Sequence, residues 1–70
     1  MIHEAVSAAL STGLCIRRNG PPIWRELKVD PTNDDQGCVL YSNSNKVPCP
    51  RWQPKAEDLM ADDWILAPRD

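Results

Sequence analysis

Apolar residues recur along the first stretch of the chain at Ile2, Ala5, Val6, Ala9 and Leu10. This i, i+3, i+4, i+7, i+8 spacing makes one apolar stripe on an α-helix. The helix is expected to close at Gly13, because a residue without a Cβ adopts the left-handed cap conformation freely. Leu14-Cys15-Ile16-Arg17-Arg18 then reads as a short strand ended by the turn pair Asn19-Gly20. Pro21-Pro22 cannot donate to a ladder and stiffens the approach to the next element. From Ile23 to Val29 the alternation predicts a second strand. Ile23, Arg25, Leu27 and Val29 fall on one face, and Trp24, Glu26 and Lys28 on the other. Arg25 is the misfit on the apolar face and Trp24 the misfit on the polar one.

Asp30 to Gly37 is a polar loop rich in turn formers. Cys38-Val39-Leu40-Tyr41 reads as a third strand, antiparallel to the second. Ser42 to Lys46 turns again, and Val47-Pro48-Cys49-Pro50 is extended. Pro54 is expected to open a short helix, at a position where a missing N–H costs nothing. Ala56, Leu59 and Met60 would be its buried stripe, with Glu57 and Asp58 complementing the N-terminal dipole. Asp62-Asp63 would end it before a closing strand, Trp64-Ile65-Leu66. The order predicts an α+β fold: a small antiparallel sheet with an N-terminal helix and a short second helix before the C-terminal strand. Residues 1–70 read as one domain, without repeats or a long linker.

Composition sharpens this picture. A chain of 70 residues buries only about 60% of the surface its unfolded form exposes. Help from disulfides, a metal or oligomerisation is therefore expected. There is no phenylalanine to fill the core, so Trp52 and Trp64 are expected there, with Trp24 divided between core and surface. The net charge of −2 argues against a duplex-binding module, which needs a basic face. No apolar run approaches the ~20 residues of a membrane span, and no basic stretch precedes an apolar one as in a signal peptide. A soluble, intracellular domain is expected. Cys15, Cys38 and Cys49 cannot all pair within one chain, and their spacings match no zinc knuckle or CxxC element. They read as reduced thiols packed as small hydrophobes. A zinc set with His3, an intermolecular disulfide and a reactive thiol stay open.

Signatures of catalysis are missing. His3 stands alone near the terminus, and no serine or cysteine motif accompanies it. Asp34-Asp35 and Asp62-Asp63 are adjacent pairs whose side chains point apart, whereas acid–base chemistry needs both on one bond. The site is predicted to contain no catalytic residue, no metal and no cofactor. Binding chemistry is better represented. Arg17-Arg18 ends a strand with its two guanidinium groups on opposite faces, and either can be solvated or ion-paired. Trp24 and Trp52 offer flat aromatic surfaces, Trp52 beside Arg51 in a proline-stiffened segment. Tyr41 and the Ser42-Asn43-Ser44-Asn45 run supply a phenol and amides. Arginines for phosphates, aromatics for a base and amides for a sugar are the fittings of a nucleotide pocket.

The C-terminal segment from Trp52 to Trp64 spells W-x-P-x-x-x-D-L-x-A-x-D-W, carried by Trp52, Pro54, Asp58, Leu59, Ala61, Asp63 and Trp64. It resembles the closing signature of the small phage proteins of the Thoeris anti-defence two family. The N-terminal half is similar too, with an Ala-rich helix containing Glu4-Ala5, then Gly13 and a strand ending in Arg17. Two departures stand out: Pro21-Pro22-Ile23 intervenes before Trp24, and the middle of the chain is short.

The resemblance implies a protein that binds a cyclic ADP-ribose-type signal made by a bacterial TIR-domain enzyme and does not cleave it. It also implies a homo-oligomer, dimer or tetramer, acting in the cytoplasm of the infected host. The partners are then a small-molecule signalling nucleotide and further copies of the chain, with no nucleic acid duplex and no membrane. On this reading Arg17 or Arg18 clamps the pyrophosphate, Trp24 stacks on adenine, and Tyr41 and Asn43 address ribose hydroxyls. Trp52 and Asp63 complete the candidate set, each with a core or structural role as its alternative. Three other readings stay open: a linear amino-acid-conjugated ADP-ribose, a cyclic oligonucleotide, or direct binding to a host defence protein.

Overall fold

Four short antiparallel strands carry the molecule. The computed structural model describes residues 2–42 and 48–69. Helix α1 spans Ile2–Thr12, strand β1 Cys15–Arg18, β2 Leu27–Asp30, β3 Val39–Ser42, helix α2 Ala56–Met60 and β4 Trp64–Ala67. The sheet order is β3-β2-β1-β4, with every neighbouring pair antiparallel. The α+β class, the antiparallel sheet and the placing of both helices are as the sequence predicts. Gly13 closes α1 with φ +75°, and its N–H bonds to Ala9 O at 2.8 Å.

The register sorts side chains onto two faces, because residues directly opposite share a face and successive residues along a strand do not. Ile16 pairs with Val29 and with Leu66, and Val29 pairs with Leu40. This row, with Trp64 and Leu27, looks toward α1. The buried cluster comprises Ala9, Ile16, Trp24, Val29 and Trp64, with Ile2, Ala5, Val6, Leu40 and Trp52 packed around it. On the opposite face lie Cys15, Arg17, Lys28, Asp30, Val39, Tyr41, Ile65 and Ala67. The C-terminal residues fold back over part of that face. Arg69 grips Asp30 with two hydrogen bonds of 2.7 and 2.9 Å and donates to Gly13 O at 2.6 Å. Lys28 Nζ donates to the carbonyls of Pro68 and Arg69.

Several local expectations are corrected. The second strand begins at Leu27, not Ile23; residues Pro22–Arg25 form a 3-10 turn. Two prolines lock φ near the helical value and cannot join a ladder, so the chain coils, with Trp24 N bonded to Pro21 O at 3.1 Å. Coiling turns Trp24 into the core and leaves Ile23 65% exposed. The third strand runs from Val39 to Ser42, one residue later than expected. The turn expected from Ser42 to Lys46 and the start of the extended run at Val47 lie, apart from Ser42, outside the described residues. Pro54 precedes α2 by two residues rather than opening it. Ala56, Leu59 and Met60 are exposed rather than buried. The helix has five residues and is anchored through polar contacts of Asp58 instead of an apolar stripe. On α1 the stripe is narrower than predicted, since Leu10 is half exposed.

The cysteines are unpaired: Cys15 is buried, Cys38 half-buried and Cys49 exposed. Burial foremost, then the negative Asp30, pushes the Cys15 thiol up from its ordinary value, against the opposing pull of Arg69 and Lys28. Among the described residues no helix is long and apolar enough to cross a membrane.

Candidate functional site

Three indoles meet where the 3-10 turn, the segment before α2 and the start of β4 converge. Trp24 lies 5.2 Å from Trp64 and 6.1 Å from Trp52, and Trp52 lies 5.8 Å from Trp64, with interplanar angles of 72–90°. This edge-to-face triangle sets the positive ring edge of one indole against the negative face of the next. It fills the space that phenylalanines fill in other cores. Trp24 and Trp64 are buried, whereas Trp52 is half-buried.

Trp52 reaches the triangle through a bulge. Leu40 and Cys49 exchange backbone hydrogen bonds of 2.9 and 2.8 Å, yet Trp52 N bonds to Cys38 O at 2.8 Å, a one-residue slip in the ladder. Such a slip re-aims the side chains that follow it. Arg51 takes up the extra residue with φ 57°, and its N–H bonds to Gln36 O at 2.8 Å.

Next to the triangle opens a cleft of about 250 Å³. Its buried and half-buried walls are Trp24, Leu27, Leu40, Trp52, Arg18 and Asp58, and exposed Gln53, Lys55 and Glu57 stand at its mouth. Arg18 is held at the side of this cleft by two carboxylates. Its Nε donates to Asp63 Oδ1 at 2.9 Å, and its Nη1 donates to Asp58 Oδ1 at 3.1 Å. Asp58 Oδ2 in turn accepts from the backbone N–H of Lys55 at 3.1 Å, so one carboxylate caps α2 and pairs Arg18. The Asp58 carbonyl accepts the Trp64 indole N–H at 2.7 Å. The Arg18 guanidinium holds the Asp63 carboxyl below the ordinary carboxylate range, opposed by partial burial. The same pairing with Asp63 raises the Arg18 pKa further.

These contacts explain the spacing of the C-terminal signature. Asp58 caps, pairs and accepts; Asp63 pairs Arg18 from across the chain; Trp64 fills the core and locks its N–H onto Asp58. The sequence offers Asp58 as a dipole partner of α2 and as an acceptor of backbone or side-chain hydrogen bonds; the fold supplies Lys55 N–H and Arg18 as the donors. Its position three residues after Lys55, ahead of D-W, was the available signal for this clamp.

The structure gathers part of the predicted site. Arg18, Trp24 and Trp52 line the cleft, and Asp63 touches it through Arg18. Arg17 and Tyr41 lie on the opposite face of the sheet, separated from the cleft by the sheet itself. Asn43 lies outside the described residues. Trp24 is only 5% exposed, so its ring is mainly core and the half-buried Trp52 offers the larger aromatic surface. Gln53, Lys55 and Glu57 were not among the predicted site residues; they lie at the mouth of the cleft because α2 begins beside the triangle.

The arrangement suits binding. An aromatic wall, an amide, an ammonium and a carboxylate converge on one hollow, the combination expected of a site for a flat, polar small molecule. Arg18 is already compensated by two carboxylates, and Lys55 adds a second cation at the mouth of the cleft. His3 is exposed on α1, away from the cleft. Among the described residues no group of three His, Cys, Asp or Glu side chains is arranged to hold a metal.

No curated protein and no solved structure matches the chain significantly. The sequence model of the Thoeris anti-defense 2-like domain matches residues 1–67. That span takes in both terminal blocks, the Arg18 clamp and the tryptophan triangle, and the chain belongs to the Thoeris anti-defense 2-like family.

Proposed function

We propose that the protein sequesters, without cleaving it, an ADP-ribose-derived signal of the Thoeris system, a cyclic ADP-ribose isomer made by a TIR-domain enzyme. The observation that carries this reading is the family match over residues 1–67. The cleft supports it chemically. A purine face fits against Trp52, the Glu57 carboxylate suits ribose hydroxyls, and Lys55 takes a phosphate. The pyrophosphate role thus passes from the arginines to Lys55, since Arg18 is committed to Asp58 and Asp63 and Arg17 faces away. Sequestration needs affinity and abundance rather than turnover: a binder in excess over its dissociation constant lowers free signal by mass action.

The same reading includes a homo-oligomer in the host cytoplasm. Ile23 and Met60 are 65% and 77% exposed, an apolar cost that association would relieve.

The test is calorimetric titration with cyclic ADP-ribose isomers, linear and amino-acid-conjugated ADP-ribose, and cyclic oligonucleotides. The bound material is then released by heat and chromatographed. Saturable binding with the ligand recovered intact is expected. A changed product would replace sequestration by hydrolysis. No heat across the panel, with a stable complex formed on a host defence protein, would replace it by direct protein inhibition.

A further inference from the structure

A second cavity, of about 420 Å³, lies on the core side of the sheet. Ile2 and Val6 of α1 form one wall, Ile16 and Val29 the floor, and Cys38 and Leu59 further lining. The volume falls within the range of small-molecule sites. The lining is apolar apart from Arg51 and Gln53. Arg51 is the residue held in the left-handed region, at φ 57°. That conformation is unusual for a residue with a Cβ. The bulge hydrogen bonds from Arg51 N to Gln36 O and from Trp52 N to Cys38 O maintain it.

We infer that this cavity is a second binding site, for a compact amphipathic anion: an aromatic or aliphatic body in the apolar hollow and a carboxylate, sulfonate or phosphate on Arg51. Charge decides the class. An apolar hollow alone accepts any hydrophobe, but one guanidinium and one amide in an otherwise apolar lining favour a ligand with one anionic head and an apolar body. This differs from the tryptophan cleft, where an ammonium and a carboxylate, Lys55 and Glu57, stand together. The inference goes beyond the proposed function and stands whatever that cleft binds. Trp52 lines both cavities, so its fluorescence reports occupancy of either.

Cys38 lines the cavity and Cys49 does not, so the native protein carries its own probe and control. The experiment titrates the full chain with 8-anilinonaphthalene-1-sulfonate, with uncharged N-phenyl-1-naphthylamine in parallel, and follows iodoacetamide alkylation of each thiol by peptide mass spectrometry. A single saturable site is expected, with Cys38 alkylation slowed and Cys49 alkylation unchanged. Arg51→Gln should weaken the sulfonate roughly tenfold, the loss of one charge-assisted hydrogen bond, and leave the uncharged probe unaffected. Equal protection of both thiols, protection of neither, or the same response of both probes to Arg51→Gln would overturn the proposal.

Discussion

Gly20 and Asp63 are packed so closely that a Cβ on the glycine would sit 2.5 Å from Asp63 Oδ2. A Cβ there would force the Asp63 carboxylate to shift, so the glycine suits the position from which Asp63 pairs Arg18. Gly20→Ala should push Asp63 off Arg18 and lower the melting temperature by about 4–8 °C, the shift expected when a small domain loses an interaction of ordinary strength. The effect should not add to that of Asp63→Asn, since both remove the same contact. Thermal unfolding of the two single variants and the double variant checks this, and full additivity would disprove the linkage.

Acid should act through the same pair. The Asp63 carboxyl titrates below its ordinary value of 3.8 because Arg18 stabilises the charged form. A carboxylate whose folded pKa is depressed contributes stability that is complete above the unfolded value and is lost as pH falls through the folded one. Asp63→Asn should thus flatten the decline in stability below pH 3.8 while lowering stability at neutral pH. Urea melts of both proteins from pH 2 to 7 measure it, and parallel profiles would remove Asp63 from the acid response.

Trp24 and Trp52 should separate in their effects. Trp24 is 5% exposed within the core cluster, so Trp24→Ala is expected to cost about 3–5 kcal/mol, as large-to-small core substitutions do. For a domain of this size, that is enough to compromise folding. Trp52 is half-buried and lines the cleft. Trp52→Leu keeps an apolar side chain in the triangle but removes the flat ring, and should weaken ligand binding by about tenfold at a smaller cost in stability. Unchanged affinity in a folded Trp52→Leu protein would take Trp52 out of the site.

The two strand arginines make a matched test. Arg18→Ala strands Asp58 and Asp63 beside one another and should lower the melting temperature. Among the described residues Arg17 donates to the Arg18 carbonyl, at 3.2 Å, so Arg17→Ala should leave the melting temperature nearly unchanged. It should also leave binding in the cleft unchanged. A loss of ligand affinity in Arg17→Ala would place the ligand on the opposite face.

The C-terminal strap should matter out of proportion to its length. Arg69 satisfies both oxygens of Asp30, whose side chain is 11% exposed. Removing one partner leaves a nearly buried charge alone, which is the expensive way to break such a pair. Because Arg69 itself is half in water, Arg69→Ala is expected to cost about 1–2 kcal/mol. Denaturant unfolding checks the value, and high salt should narrow the gap between variant and parent.

Much of the fold was legible in the chain because its determinants are local. The stripe from Ile2 to Ala9, the glycine at position 13 and the alternation around Ile16, Val29 and Leu40 each follow from backbone period and side-chain type within a few residues. The W-x-P-x-x-x-D-L-x-A-x-D-W spacing likewise pointed to the family without any coordinates. Alternation also placed Arg17 and Arg18 on opposite faces. What it could not supply was which face holds the carboxylates.

That was a matter for tertiary structure. Arg18 meets Asp58 and Asp63 from forty or more residues away, and no local period encodes a contact at that separation. Trp24 looked like a ring on a polar strand face. Two prolines coiled its segment into a 3-10 turn, and the demand for buried volume in a core without phenylalanine turned the indole inward. Lys55 and Glu57 came to the cleft because Asp58 pins α2 beside the indoles. The sequence by itself determined the two helices, the order of the four strands along the chain and the family. Only the folded chain decided which charges are spent on one another and which remain to meet a ligand, because ion pairing depends on distances that exist only once the strands and helices have packed.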